Sequence, residues 1–203
     1  MNNRAEDILR ESNTIITGDH FVYISGDHGS GWVNKDALLP YTAKVSELAQ
    51  LLAQACENLG AEIVCGPAIG GLVMSQWVAH FLQLPSVFTE HGLDKSQPGL
   101  QPPFVLKRGF DELIEGKKVL VVDDIVNTGL SIRQTVAAIE RCGGEVIAGA
   151  AYCSRGNVDA AVMNPQKFCL SRGIQNSGMA GGYLRALQII SSSQHKVRTR
   201  RRF

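Results

Sequence analysis

VLVVDDIVNTGLS, residues 119 to 131, joins an apolar run, two adjacent aspartates and a Thr-Gly-Leu-Ser turn. An uninterrupted apolar run of this length, preceded by two lysines, is typical of a strand that is buried on both faces. Helical spacing begins directly after the turn, runs from Leu130 to Cys142, and ends at Gly143-Gly144. The segment therefore predicts a strand, a tight turn and a helix, which together form one unit of an α/β fold.

The rest of the chain repeats this alternation of strands and helices. The polar residues 1–13 are helix-like, and further helices are predicted at 38–59, closed by Gly60, and at 71–82. Strands are predicted at 22–25 and 31–34 as a hairpin, and at 61–66, 85–90, 104–110, 117–123 and 145–153. Strands separated by single helices imply a mostly parallel sheet with helices on both faces. After Arg155 the pattern weakens, and residues around 175–186 predict a loop with a short terminal element.

Composition excludes several classes of protein. The 203 residues are 44% hydrophobic and 19% charged, which predicts one soluble domain over 1–203 with a substantial core. No apolar run approaches the length of a membrane span, and the polar N-terminus is unlike a signal peptide. The five cysteines are odd in number and contain no CxxC pair, which predicts reduced thiols in a cytoplasmic protein rather than a zinc site or a disulfide framework.

The chain has a basic tail, KVRTRRRF at 196–203, whose charge offsets the net negative charge of the remaining residues. Removing its five basic residues takes the net charge from +1 to −4. The body of the chain is therefore not basic enough to indicate a nucleic-acid binder. The tail itself is typical of a solvated, disordered end, with contact to nucleic acid or an acidic partner as the alternative.

The paired acids and the turn after them indicate a specific ligand chemistry. Asp123 and Asp124 fall at the carboxyl end of a predicted parallel strand, where ligands bind in open α/β sheets. Backbone N–H groups of 127–130 and the helix dipole would attract a phosphate, helped by the hydroxyls of Thr128 and Ser131. Because carboxylates repel phosphate, the acids would hold neutral hydroxyls or a metal a few ångströms away. A ribose 5-phosphate satisfies both halves; the alternative is a helix-capping Asp beside a solvated one.

The string of four hydrophobic residues, two acids and x-x-[TN]-T-G-x-[ST] resembles the signature loop of type I phosphoribosyltransferases, which bind 5-phosphoribosyl-1-pyrophosphate (PRPP). Most members have Thr or Ala at the position of Asn127 and Gly at that of Leu130. The resemblance implies a type I phosphoribosyltransferase-like α/β fold with a mostly parallel central sheet and a small N-terminal hood at 1–36. It also implies that Asp123 and Asp124 bind the ribose and act at the reacting centre. The residues implied to bind the 5-phosphate are Asn127, Thr128, Gly129, Leu130 and Ser131.

Further motifs resemble orotate phosphoribosyltransferases. GSGWVNKDAL (29–38) is similar to a hairpin that faces the substrates in that family, so Lys35 would contact phosphate or orotate. AAYCSRG (150–156) implies that Arg155, with Thr128, contacts orotate, since an Arg fork suits a carboxylate. GPAIGG (66–71) resembles the pyrophosphate loop, which would use Ala68, Ile69 and Gly70; small residues there expose backbone N–H groups to an anion.

Residues 91–103, HGLDKSQPGLQPP, predict a lid loop, because they combine prolines, glycines and no periodicity. Many orotate phosphoribosyltransferases carry a lysine-rich pattern in this loop, whereas here His91 and Lys95 are the candidates. Lys107 and Arg108 would add positive charge for the pyrophosphate.

The resemblance implies a reaction that needs PRPP, orotate and Mg²⁺, with the metal carried on PRPP near Asp123 and Asp124 rather than held directly by the protein. It also implies a homodimer. Two alternatives share the PRPP motif: transfer to a purine or another base, and a PRPP- or nucleotide-sensing regulator with little catalysis. The depleted lid and the basic tail favour the regulator, whereas the acid pair, Lys35 and Arg155 favour catalysis.

Overall fold

Strands and helices alternate along the chain in a computed structural model, which describes residues 4–22, 28–93, 102–126, 129–155 and 184–191. The elements are α1 (Arg4–Glu11), β1 (Ile15–Val22), β2 (His28–Val33), α2 (Thr42–Cys56), β3 (Ile63–Pro67), α3 (Gly70–Leu82), β4 (Ser86–His91), β5 (Phe104–Leu106), α4 (Phe110–Ile114), β6 (Lys118–Val126), α5 (Leu130–Arg141), β7 (Glu145–Arg155) and β8 (Leu184–Ser191). Short 3₁₀ turns at Lys35–Ala37 and Glu57–Leu59 flank α2.

The central sheet has six strands in the order β5-β4-β3-β6-β7-β8. The four inner strands are parallel, which confirms the mostly parallel sheet expected from the alternation of strands and helices. The two edge strands, β5 and β8, pair antiparallel with their neighbours. The predicted short terminal element is present as β8, which spans eight residues, whereas the loop predicted before it lies outside the described residues. An edge strand pairs on one side only, so its sequence need not carry the strong apolar pattern of an inner strand.

Strand β6 divides the core into two halves because its side chains alternate between the faces of the sheet. Val119 and Val121 pack with residues of α4 and α5 on one face. Leu120 and Val122 pack on the other face with residues of α1, α2 and α3. All four are fully buried. The apolar run in the sequence is therefore explained by helices on both sides, as predicted.

Strands β1 and β2 form a separate antiparallel sheet of two strands. The predicted hairpin is confirmed; its first strand is described over Ile15–Val22, and residues 23–25 of the predicted strand lie outside the described residues. Most side chains of β1 are exposed, and Gly18 and Asp19 interrupt it, so the sequence carries little strand signal there. From β2 the chain passes directly into the 3₁₀ turn at Lys35–Ala37, which delivers Lys35 to the carboxyl edge of the central sheet.

The predicted helices are present with shifted ends. Helix α2 begins at Thr42 rather than at residue 38, because Pro40 precedes it and restricts the residue before it. Gly60 has φ +74°, the left-handed conformation expected after the end of this helical segment. The predicted strand over 104–110 stops at Leu106, since Arg108 and Gly109 both have positive φ and lead into α4. Within the described ranges no helix is both long enough and apolar enough to cross a membrane.

Candidate active site

Asp123 and Asp124 lie inside β6, near its carboxyl end, and are only 6% and 4% exposed. One oxygen of each carboxylate accepts a backbone hydrogen bond. The N–H of Asp124 donates to Asp123 Oδ1 at 2.8 Å, and the N–H of Ile125 donates to Asp124 Oδ1 at 2.6 Å. The backbone thus fixes both carboxyl groups while it leaves their second oxygens for other contacts.

Two neighbouring buried carboxyl groups do not ionise independently. Burial raises the pKa of Asp123 well above its ordinary value, and the charge of Asp124 raises it further. The backbone N–H of Asp124 and the ammonium of Lys35 act in the opposite direction but do not outweigh them. The acid pair therefore favours retaining a proton, so that the two acids together carry less than their full charge.

Lys35 contacts the acid pair from the neighbouring hairpin segment. Its Nζ lies 3.1 Å from Asp124 Oδ2. Apart from this ion pair, the buried Oδ2 has no hydrogen-bond partner among the described residues. Burial lowers the pKa of Lys35, but the carboxylates of Asp124, Asp123 and Asp36 raise it by more, so the net shift is upward. Lys35 thus brings a fixed positive charge to the acid pair.

The turn between β3 and α3 approaches Asp124 closely because its residues are small. A Cβ on Gly70 would overlap the Asp124 carboxylate, and one on Gly66 would overlap the carbonyl of Gly71. The Ala68–Ile69 peptide bond is cis, and Ile69 is 78% exposed. Glycine is therefore required in GPAIGG for steric reasons, since a larger residue would prevent the turn from passing directly beside the acids.

Gly129 and the first residues of α5 form another wall of the site. Gly129 has φ +70°, a conformation that favours glycine, and it is the residue before the helix. Leu130 and Ser131, both exposed, begin the helix. The first N–H groups of a helix have no partner within it, and its dipole favours an anion there. Asn127 and Thr128, the other predicted phosphate ligands, lie outside the described residues.

These segments enclose one cavity of about 380 Å³. Its walls are residues 32–36, 67–70, 123–126 and 129–131, so the structure brings together Lys35, the Ala68–Gly70 turn, both acids and the start of α5. Trp32, Asn34 and Asp36 also line the cavity, although they were not among the site residues predicted from the sequence. Their adjacency to Lys35 in WVNKD is the signal that would have found them. The volume is in the range of small-molecule sites.

Other predicted residues lie elsewhere. Arg108 pairs with Glu90 Oε1 at 2.8 Å. Lys107 lies 3.6 Å from Glu90 Oε2 and donates to the carbonyl of His91 at 2.9 Å. None of these residues is among those that line the cavity. Their pyrophosphate and lid roles stay predictions.

Two further predicted residues are only partly described. Arg155 is the last residue of β7, at the same edge of the sheet as the acids, but its side chain falls outside the described part of the chain. Lys95 falls outside it altogether.

A family model described as the phosphoribosyl transferase domain matches residues 35–181 of this chain. The matched range contains every wall of the cavity except residues 32–34 of the hairpin segment. The chain belongs to the phosphoribosyltransferase domain family. This membership confirms the family resemblance drawn from the segment 119–131.

Relatives of this phosphoribosyltransferase are named orotate phosphoribosyltransferase. The orotate phosphoribosyltransferase of a Sulfurovum species is 34% identical over 153 residues, which cover 74% of this chain and 71% of the relative. That of Bartonella tribocorum is 35% identical over 161 residues, covering 77% and 78% respectively. The crystal structure of orotate phosphoribosyltransferase from Aeropyrum pernix superposes with a TM-score of 0.53 at 25% identity, covering 69% of this chain and 75% of that one. The chain thus resembles these enzymes in sequence and in fold.

Proposed function

We propose that the protein is an orotate phosphoribosyltransferase, which transfers the 5-phosphoribosyl group of PRPP to orotate and releases orotidine 5′-monophosphate and pyrophosphate. The observation that carries the proposal is the buried acid pair, which shares one cavity with a helix N-terminus and Lys35. The names of the relatives support orotate as the acceptor.

Each part of PRPP has a complementary wall in this proposal. The 5-phosphate binds at the start of α5, with Gly129 and Ser131 in the described part and Asn127 and Thr128 beyond it, because a helix N-terminus attracts an anion. The ribose hydroxyls donate to Asp123 and Asp124. The pyrophosphate lies against the backbone of 68–70, where small residues let the main chain approach.

The acid pair stabilises the charge that develops during transfer. As the bond from C1 to the pyrophosphate oxygen breaks, its electron pair leaves with the pyrophosphate and the ribose gains oxocarbenium character. The charge of Asp124, held in a site shielded from water, acts on this cation through the ribose hydroxyls. A ring nitrogen of orotate then forms the new bond to C1 and loses its N–H proton, which the departing pyrophosphate takes up. The reaction requires positioning rather than a covalent enzyme nucleophile.

Mg²⁺ is part of the proposal as an ion carried by the pyrophosphate. The donor set of the cavity fits it, because Mg²⁺ retains several waters and such waters can donate to the carboxylates along the cavity wall. The bound ion would neutralise charge on the leaving group. Lys35, which rests 3.1 Å from Asp124 in this structure, adds positive charge on the same side.

Orotate recognition is assigned to Lys35, Thr128 and Arg155. An Arg guanidinium binds a carboxylate through two parallel hydrogen bonds, and Arg155 ends the strand next to β6. We expect Arg155→Ala to weaken orotate binding about 30-fold, the loss of a charge-assisted pair, while PRPP binding is preserved. Isothermal titration with each substrate measures this, and unchanged orotate affinity would show the assignment to be wrong.

The decisive experiment is an absorbance assay of orotate consumption with PRPP and Mg²⁺. We expect orotate to be consumed only when both are present, and removal of Mg²⁺ with a chelator to stop the reaction. A panel of purine and pyrimidine bases in the same assay tests acceptor choice. Transfer to a purine without transfer to orotate would replace orotate by that base, and PRPP binding without any turnover would favour the regulator.

We further propose that the chain is a single domain, with residues 1–36 as a hood over the site, and that it acts as a cytoplasmic homodimer. The four described cysteines, Cys56, Cys65, Cys142 and Cys153, are free thiols, which agrees with a reducing compartment. Light scattering of the purified protein measures the oligomeric state, and a monomer at working concentration would contradict the dimer.

A further inference from the structure

Tyr152 carries a hydroxyl that the fold leaves without a partner. It lies on β7, is 2% exposed, and packs in the core beneath α2. Its OH makes no hydrogen bond. A buried hydroxyl without a partner loses its hydration without compensation, so an orphan of this kind needs a physical reason.

The position of Tyr152 in the sheet supplies that reason. In the parallel pairing of β6 with β7, Asp123 is opposite Ala151 and Ile125 is opposite Cys153, so Tyr152 is the neighbour of Asp124. Neighbours in register project from the same face of a sheet. Tyr152 is therefore beside the carboxyl group that protrudes into the cavity.

The Tyr152 hydroxyl and Asp124 Oδ2, which contacts only the Lys35 ammonium as an ion pair, are chemically matched. Within the described ranges, the buried side-chain atoms without a hydrogen-bond partner are Ser86 Oγ, Asp124 Oδ2 and the Tyr152 OH. Two of the three thus belong to adjacent residues, and one is an acceptor while the other is a donor. The two atoms do not bond to each other directly, but one bridging water would satisfy both.

The surrounding charges keep this phenol in its donor form. Burial raises the pKa of Tyr152, and the carboxylates of Asp124, Asp123 and Asp36 and the thiol of Cys153 raise it further. Its O–H bond therefore persists throughout the working pH range. Because tyrosine does not compete for the proton of the acid pair, its hydroxyl serves only as a hydrogen-bond donor here.

We propose that Tyr152 is a positioning residue for Asp124: its hydroxyl donates to Oδ2 through one bridging water and orients the carboxylate toward the ribose of PRPP. In this structure Lys35 forms an ion pair with this oxygen. When Lys35 turns to the anionic substrate, Tyr152 keeps the carboxylate in place. This step rests on the proposed function, which assigns the ribose to Asp124.

A double-mutant cycle on PRPP binding tests the pairing. The variants are Tyr152→Phe, Asp124→Asn and their combination, and PRPP binding in the presence of Mg²⁺ is measured by isothermal titration. We expect Tyr152→Phe to weaken binding about tenfold in the wild-type background, the loss of a hydrogen bond to a charged group. In the Asp124→Asn background it should have no further effect, because the partner is already altered. Tyr41→Phe is the matched control, since Tyr41 is 56% exposed.

Steady-state kinetics add a second measurement. Tyr152→Phe should lower kcat/KM for PRPP and leave KM for orotate unchanged. An equal loss in both backgrounds, or no loss in either, would overturn the pairing, since packing alone would not couple the hydroxyl to Asp124.

The cycle also separates this inference from the proposed function. Coupling on PRPP binding without orotate turnover would sustain the inference and contradict the transfer to orotate. Absence of PRPP binding by the wild type would overturn both.

Discussion

The carboxyl end of β6 and the β4–β5 edge both contain acidic and basic side chains, but the two regions differ in how far these charges are buried and in how many cations pair with each acid. At the edge, Glu90 is partly exposed and is neutralised by Arg108 at 2.8 Å and Lys107 at 3.6 Å. At the end of β6, two acids are almost completely buried and share one cation, Lys35. A partly exposed, neutralised cluster contributes at most weakly to the stability of the fold, whereas a buried carboxyl pair that retains a proton beside one cation indicates a functional site.

The largest effect is expected from removing both buried charges. Asp123→Asn combined with Asp124→Asn should lower turnover on the order of 10⁴-fold, about 10² for each well-aimed group. The fold should be retained, because amides of the same shape replace the acids and desolvation of the carboxylates is relieved. The orotate absorbance assay measures the loss and circular dichroism the fold. Glu90→Gln is the control for the exposed acid, and full turnover by the double variant would contradict the mechanism.

Two lysines give the next comparison. Lys35→Met should lower kcat/KM on the order of 100-fold, because it removes the positive charge inside the cavity. Lys107→Met removes a charge that contacts Glu90 and the carbonyl of His91, outside the cavity walls. We expect it to change kcat/KM by about threefold or less. A large effect of Lys107→Met would support its predicted role with the pyrophosphate.

A single methyl group tests the close approach of the β3–α3 turn. In Gly70→Ala the new Cβ would overlap the Asp124 carboxylate, so the turn or the acid must shift. We expect kcat/KM for PRPP to fall about 30-fold, equivalent to about 2 kcal/mol. Gly144→Ala is the control, since its Cβ would overlap Ile114 and Ile139, away from the cavity walls. Equal losses in both variants would show that the overlap with Asp124 is not the cause.

The smallest effect concerns stability and changes with pH. Folding raises the pKa of Asp123, so the native state binds this proton more tightly than the unfolded chain. The corresponding stability is present below the ordinary pKa of an aspartate and is lost as the pH rises through the raised native value. Asp123→Asn should therefore be stabilising by about 1 kcal/mol near pH 8 and by less near pH 5. Urea unfolding at both pH values measures this, and a gain that grew toward low pH would have the wrong sign.

The sequence predicted the parts of the site that local chemistry determines. The apolar run, the acids and the turn of 119–131 form one continuous segment, and its burial on both faces followed from the alternation of strands and helices. The GPAIGG turn was also predicted, but the reason for Gly70, its approach to Asp124, depends on a contact between separate strands.

The remaining features depend on pairing that no local pattern encodes. Lys107 and Arg108 meet Glu90 because β5 pairs antiparallel with β4. Tyr152 is the neighbour of Asp124 only through the register of β6 with β7. Strand β1 is mostly exposed and contains glycine, so its apolar pattern was too weak to locate its ends. In each case the deciding interaction joins residues that are distant in the sequence.

The separate sheet of β1 and β2 has a consequence for the order in which the site assembles. Lys35 follows the hairpin, whereas the acids are part of the central sheet. Because β1 buries little of its surface, local opening of the hairpin requires less free energy than unfolding of the whole chain. We expect backbone amides of β1 to exchange with deuterium well before those of β6. Such opening would leave the acids in place without their cation, so the same folded domain would exist in two charge states that differ in their attraction for PRPP.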